Sequence, residues 1–218
     1  MQTLRRVGLL AAFAALVAWL PTQAAAQQVG FAVDGFGGVA LPTSNVNDFQ
    51  DLGPAFGLGV EYEVTDRVAV RGSGGVEMFS GADAADLSGG LAAPDMTFIH
   101  FGAGLAFRLS PPDETNWDVS VSIEGGGTSV STDDFPEGAV TPEGETDFSN
   151  TYFSLSPGLR IGYLFQERFE LFFRSQPWFA LADSEDTAVF GQFDQGLPAE
   201  GFEDIWSLPV TAGVQIGF

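Results

Sequence analysis

The sequence contains no cysteine and no lysine, and its one histidine is His100. Without cysteine the chain forms no disulfide bond, and thiol chemistry and cysteine–metal sites are excluded. A single histidine makes a transition-metal site implausible as well. The formal net charge is −21, with 8 basic against 29 acidic residues, so a basic face that could neutralise phosphates is missing. We therefore expect no transition-metal site, no cofactor and no nucleic-acid partner.

Residues 1–26 have the features of a cleaved secretory signal peptide. Arg5 and Arg6 precede the apolar stretch VGLLAAFAALVAWL, and small residues follow at Ala24–Ala26. The alternative is a membrane anchor, but a spanning helix needs about 20 apolar residues and Pro21 ends this stretch early. We predict cleavage near Ala26, which leaves residues 27–218 as a single domain.

From Val29 onwards apolar and polar residues alternate with a period of two, which indicates β-strands. The 28 glycines disfavour helix, and the 21 phenylalanines favour strands. Each predicted strand has the roughly 9–11 residues, or more, that a tilted strand needs to cross a bilayer. The eight predicted strands are residues 29–41, 54–64, 68–79, 96–109, 117–129, 150–165, 169–182 and 205–218.

The segments between these strands alternate in length. Segments 42–53, 80–95, 130–149 and 183–204 are long and carry 18 of the 29 acidic residues but no arginine, whereas segments 65–67, 110–116 and 166–168 are short. Antiparallel strands in chain order place all long loops at one end and all short turns at the other, as transmembrane barrels do. The sequence therefore predicts an all-β fold, an eight-stranded antiparallel up-and-down transmembrane β-barrel with solvated long loops.

The alternating faces indicate which side contacts lipid. In residues 96–109 one face carries Ile99, Phe101 and Phe107, while the other carries His100, glycines and Arg108. Small and charged residues suit the narrow interior of an eight-stranded barrel, and large apolar residues suit lipid. The alternative is a β-sandwich with an apolar core.

Charged residues of both signs fall on the small-residue face, where a narrow lumen would force them to pair. We expect this lumen ion network to close the barrel, while a conducting path is the alternative. The predicted network consists of Arg71, Glu77, Arg108, Asp118, Glu124, Arg160, Glu170 and Arg174.

Pro157, Pro177 and Pro209 lie inside predicted strands, where a closed barrel has no edge to accommodate them, so we predict bulges or kinks.

The signal, the eight-strand rhythm, the loop asymmetry and the terminal GVQIGF resemble the small outer membrane β-barrel family that includes OmpX and the transmembrane domain of OmpA. The resemblance implies a location in the cell outer membrane. It also implies that the last strand is the signal read by the barrel-assembly machinery. The residues in that role would be Val210, Ala212, Val214, Ile216 and Phe218.

The sequence favours a non-enzymatic role. His100 is the only residue that could serve as the base of a Ser-His-acid site, no serine follows it closely, and it points into the predicted lumen. We expect a monomer in contact with outer membrane lipid and lipopolysaccharide, with divalent cations at the acidic loops, and a structural or surface-interaction role. The alternative is a narrow porin-like or OmpW-like channel for ions or small apolar solutes.

Overall fold

In the computed structural model of the protein, the described residues are 30–83, 91–110, 116–136, 146–166, 168–188, 190 and 204–218. Most of them belong to antiparallel strands. A 3-10 helix over Ser44–Asp48 and a one-turn helix α1 over Ser184–Thr187 lie in the connections. The strands are β1 (Phe31–Thr43), β2 (Gly53–Thr65), β3 (Val68–Phe79), β4 (Met96–Arg108), β5 (Trp117–Thr132), β6 (Ser149–Gln166), β7 (Phe169–Ser175), β8 (Trp178–Leu181) and β9 (Asp204–Gly217).

The strands form one closed ring. Each of β1 to β6 pairs with the next strand in sequence, and β9 pairs with β1 from Ala32 opposite Gly217 to Thr43 opposite Trp206. β7 and β8 lie one after the other between β6 and β9, so together they make one wall strand. The wall therefore has eight strands, and the predicted up-and-down barrel is confirmed.

The strand containing β7 and β8 is interrupted by proline. On both sides of the interruption the register with β6 is the same, from Leu159 opposite Ser175 to Leu155 opposite Phe179, which places Pro157 opposite Pro177. Since neither proline can donate to the ladder, the hydrogen bonding fails locally. The Ser156 hydroxyl donates instead to the Pro177 carbonyl over 2.8 Å.

Of the predicted bulges or kinks, bulges are absent at the three prolines, because the register stays continuous past them. The irregularity takes the form of the strand break at Pro177. In the described strands the register shifts occur beside two short turns instead, between Glu63 and Thr65 and between Leu164 and Gln166. Proline therefore removes hydrogen bonds here without adding a residue to the strand.

The two faces of the wall differ as the alternation predicts. Leu58, Ile123 and Phe173 are 68%, 54% and 70% exposed on the outside, whereas Arg71 and Glu124 are buried inside. Large apolar side chains thus form the outer surface, and charged side chains are enclosed, which excludes the β-sandwich alternative. A one-residue slip would move the buried charges to the outside, so the register is strongly specified.

Within the described part of the chain, no helix is both long enough and apolar enough to cross a membrane.

Candidate functional site

Arg71 lies at the centre of the charged interior. It projects inward from β3 and its guanidinium contacts Asp34 of β1 at 2.8 Å, Glu61 of β2 at 3.2 Å and Glu124 of β5 at 3.2 Å. Asp34 and Glu124 have fully buried side chains. Buried charges are tolerated only when they are paired, and here one cation serves three carboxylates from three strands.

Arg160 connects opposite walls of the barrel. From β6 it contacts Glu170 of β7 at 2.7 Å and Glu61 of β2 at 3.7 Å, and its guanidinium also donates to the amide oxygen of Gln215. β2 and β6 are four wall strands apart in a ring of eight, so this pair spans the full diameter. The guanidinium also lies 4.3 Å from the ring centre of Phe172.

Arg174 is held mainly by an aromatic ring. Its guanidinium lies 3.7 Å from the ring centre of Phe36, and its nearest carboxylate oxygen is that of Asp34 at 3.7 Å. A ring face attracts a cation more strongly when both are removed from water. The residues Asp34, Glu61, Arg71, Glu124, Arg160, Glu170 and Arg174 are called the ion layer below.

Gly59 makes room for the ion layer. It lies on the inner face of β2, opposite Asp34 of β1. A Cβ atom at this position would come within 2.5 Å of a carboxylate oxygen of Asp34 and 2.7 Å of a guanidinium nitrogen of Arg71. The absence of a side chain at Gly59 therefore permits the close approach of Asp34 and Arg71.

Arg108 forms a separate group at the short-turn end. It contacts Glu63 at 3.1 Å and Asp118 at 3.2 Å, and the side chains of Arg108 and Glu63 are 23% and 33% exposed. Because water screens such pairs, we expect them to contribute less than the buried pairs of the ion layer.

His100 lies between a carboxylate and a hydroxyl. Its Nε2 atom is 3.1 Å from Glu77, its Nδ1 atom is 2.9 Å from the Thr128 hydroxyl, and its ring stacks on Trp178 with centres 4.6 Å apart. The sequence did not predict this hydroxyl–imidazole–carboxylate contact. All three polar side chains belong to residues at most 2% exposed, so a substrate has no access to the hydroxyl.

An apolar cluster closes the long-loop end. Phe49 and Phe190 stack with ring centres 5.2 Å apart, and Phe148 meets Phe190 edge-on at 5.1 Å. These rings come from the long connections and lie over inward residues at the strand ends, so the expectation of solvated long loops is wrong for these parts. This aromatic cap consists of Ala40, Val46, Phe49, Ala55, Phe79, Ala93, Met96, Phe98, Val130, Phe135, Phe148, Tyr152, Ala180, Phe190 and Ile205.

Comparison with known proteins identifies the kind of barrel. A family model described as the outer membrane protein beta-barrel domain matches residues 9–177, which is more than half of the chain. The chain belongs to the outer membrane protein β-barrel family. It is an outer membrane protein, and its exposed apolar belt is embedded in outer membrane lipid. A search of curated protein sequences found no match.

Solved structures of outer membrane proteins have a similar fold. Neisserial surface protein A (NspA) superposes with a TM-score of 0.56 at 12% identity, covering 86% of this chain and 97% of its own. A major outer membrane protein from Thermus thermophilus gives 0.56 at 14%, covering 88% and 100%. Ail from Yersinia pestis, solved with the heparin analogue sucrose octasulfate, gives 0.52 at 13%, covering 88% and 100%. At such identities the likeness shows the fold alone.

The structure places all eight residues of the predicted lumen network inside this outer membrane barrel. Arg71 contacts Glu124, Arg160 contacts Glu170 and Arg108 contacts Asp118. Arg174 and Glu77 instead contact Asp34 and His100, which the predicted set does not include. Asp34 and Glu61 lie on the same alternating face as the members of that set, and both have central places in the network.

Two further predictions concern the ends of the chain and metal binding. Residues 1–26, the predicted signal peptide, lie outside the described residues. Among the residues that the structure does describe, no group of three or more histidine, aspartate or glutamate side chains is arranged to hold a metal ion. In the last strand, Val210, Ala212, Val214, Ile216 and Phe218 are all exposed on the lipid-facing side.

Proposed function

We propose that this outer membrane barrel has a closed lumen and a structural or surface-interaction role, without enzymatic activity. The observation that carries the proposal is the ion pair between Arg160 and Glu61, which joins opposite walls. Together with the three carboxylates around Arg71, it fills the cross-section with paired charges. The aromatic cap adds a second, apolar barrier at the long-loop end of the barrel.

The small size of two cavities in the described part of the barrel supports a closed lumen. A cavity between the ion layer and the aromatic cap has a volume of about 20 Å³, and one beside Arg108 at the short-turn end has about 10 Å³. A water molecule needs roughly 10–15 Å³ of such volume, so neither cavity offers a path for hydrated ions or larger solutes.

Planar-bilayer recording tests this proposal. We expect no stable ion conductance from the purified barrel, because the paired charges and the cap would both have to move. Arg160→Leu should stay closed as well, since the cap is intact in that variant. Stable currents in the unmodified protein that change in Arg160→Leu would contradict a closed lumen and favour the narrow porin-like or OmpW-like channel.

A surface-interaction role is supported by the described residues at the long-loop end. The cap fixes the bases of the loops, and the described residues there carry several acids, among them Asp48, Asp95 and Asp133, but no arginine. This charge makes a polyanion, such as the heparin analogue bound by Ail, a poor partner for this chain. Divalent cations could bridge the acids to lipopolysaccharide, and addition of EDTA should then weaken lipopolysaccharide binding.

The last strand supports recognition by the barrel-assembly machinery. Its outward residues from Val210 to Phe218 end in an aromatic ring beside Phe31, at 6.2 Å between ring centres. If a chain lacking Phe218 inserts into the membrane as fast as the intact chain, this proposal is wrong.

We further propose that the protein is a monomer, because the closed ring leaves no unpaired strand edge within the barrel wall. Light scattering in detergent measures the mass of the particle and tests this.

A further inference from the structure

A small polar chamber lies between the ion layer and the aromatic cap. Six polar or aromatic side chains of its lining are Ser73, Glu77, His100, Arg174, Gln176 and Trp178, and its volume is about 20 Å³. Two side-chain pairs in the part of the lumen nearer the long loops therefore border the chamber. They are the His100–Glu77 pair and the Arg174–Asp34 pair.

The chamber is lined by polar atoms that have no hydrogen-bond partner among the described residues. Gln176 is 3% exposed, and neither its amide oxygen nor its amide nitrogen makes a hydrogen bond with the described protein. The same holds for Oε2 of Glu77 and for Nη1 of Arg174. Unsatisfied buried groups of this kind are costly, and native proteins pair most of them with protein or ordered water.

We propose that this chamber is a binding site for one ordered water molecule that bridges Gln176 to Glu77. The groups around it include both donors, Arg174 and the amide nitrogen, and acceptors, the carboxylate and the amide oxygen. Water can satisfy both kinds at once, and it usually makes about three hydrogen bonds in buried sites.

The charges around the chamber favour a neutral ligand over an ion. The carboxylate of Glu77 already faces His100, and the guanidinium of Arg174 already faces Asp34 and the ring of Phe36. A cation would be repelled by Arg174, and an anion by Glu77. A bound water would join the His100–Glu77 pair and the Arg174–Asp34 pair into one hydrogen-bonded network across the lumen.

The variant Gln176→Leu separates the proposal from its alternative by the sign of the effect. With a bridging water, leucine removes the water's partners and leaves Glu77 unsatisfied, so the unfolding equilibrium constant in urea should rise about tenfold or more. Without water, leucine merely replaces two unsatisfied polar atoms by apolar ones, and the constant should stay the same or fall. Either of those last two results would overturn the proposal.

Ser154→Ala is the matched control. Its hydroxyl is also buried and has no partner among the described residues, but Ser154 does not line the chamber. We expect its removal to leave the unfolding equilibrium unchanged or slightly more favourable to the folded state. A loss of stability in Ser154→Ala equal to that in Gln176→Leu would mean that the leucine effect is not specific to the chamber, and would also overturn the proposal.

A high-resolution crystal structure of the unmodified barrel gives a readout that does not depend on variant folding. We expect one density peak within hydrogen-bond distance of both Glu77 Oε2 and Gln176. Crystals grown with rubidium or bromide should show no anomalous signal there. An anomalous peak would identify an ion instead of water, and the lack of any peak would show that the site is not a water site.

Discussion

Replacing Arg71 with leucine should destabilise the folded barrel by about 3–5 kcal/mol, the range found when one partner of a buried ion pair is removed. The reason is that Asp34, Glu61 and Glu124 all lose their closest cation, and two of them have fully buried side chains. Urea unfolding of the reconstituted protein, followed by tryptophan fluorescence, measures the change.

Arg108→Leu is the matched control for this prediction. Arg108 also contacts two carboxylates, but it and Glu63 are partly exposed at the short-turn end. Exposed pairs contribute about 0–1 kcal/mol, so we expect a cost in that range. Equal costs for the two variants would show that burial does not decide the contribution of these pairs, and would contradict the ion layer as a stabilising core.

Replacing Phe49 with alanine should destabilise the barrel by a similar amount, about 3–5 kcal/mol, because the ring is fully buried in the aromatic cap and stacks on Phe190. The expected loss of stability has two parts. One is the favourable free energy of removing the ring from water, and the other is the cost of the cavity that the ring leaves. We also expect faster protease cleavage in the long connections, since Phe49 and Phe190 hold two of them together.

Leu52→Ala provides the comparison within the same connection. Leu52 is 63% exposed, so its truncation should change the unfolding free energy by no more than about 0.5 kcal/mol. If Phe49→Ala and Leu52→Ala behave alike in both unfolding and proteolysis, the aromatic cap does not close the long-loop end in the membrane-embedded protein.

The barrel wall could be predicted because side chains alternate with a period of two along every strand. That period alone places Arg71, Arg160 and Glu124 on one face, and it is independent of which strands become neighbours. The partners across the lumen could not be predicted, because they depend on the stagger of the closed ring. For this reason Glu77 meets His100 instead of an arginine.

The aromatic cap was missed for a different physical reason. Loops have no periodicity, so alternation says nothing about Phe49, Phe135, Phe148 or Phe190. The available signal was the presence of phenylalanine in segments that carry most of the acidic residues and no arginine, because a solvated loop gains nothing from a large apolar ring. The break at Pro177 was located by sequence, but its form depends on Pro157 lying directly opposite.

Spin labels at neighbouring positions of β5 test the central claim, that large apolar side chains face lipid while small and charged ones fill the lumen. Because the chain has no cysteine, single labels can be attached at Ile123→Cys and Ser122→Cys without other changes. In lipid vesicles the label at 123 should collide freely with dissolved oxygen, and the label at 122 should be protected from oxygen and from a water-soluble nickel chelate. A protected label at 123 with an oxygen-accessible label at 122 would contradict the account.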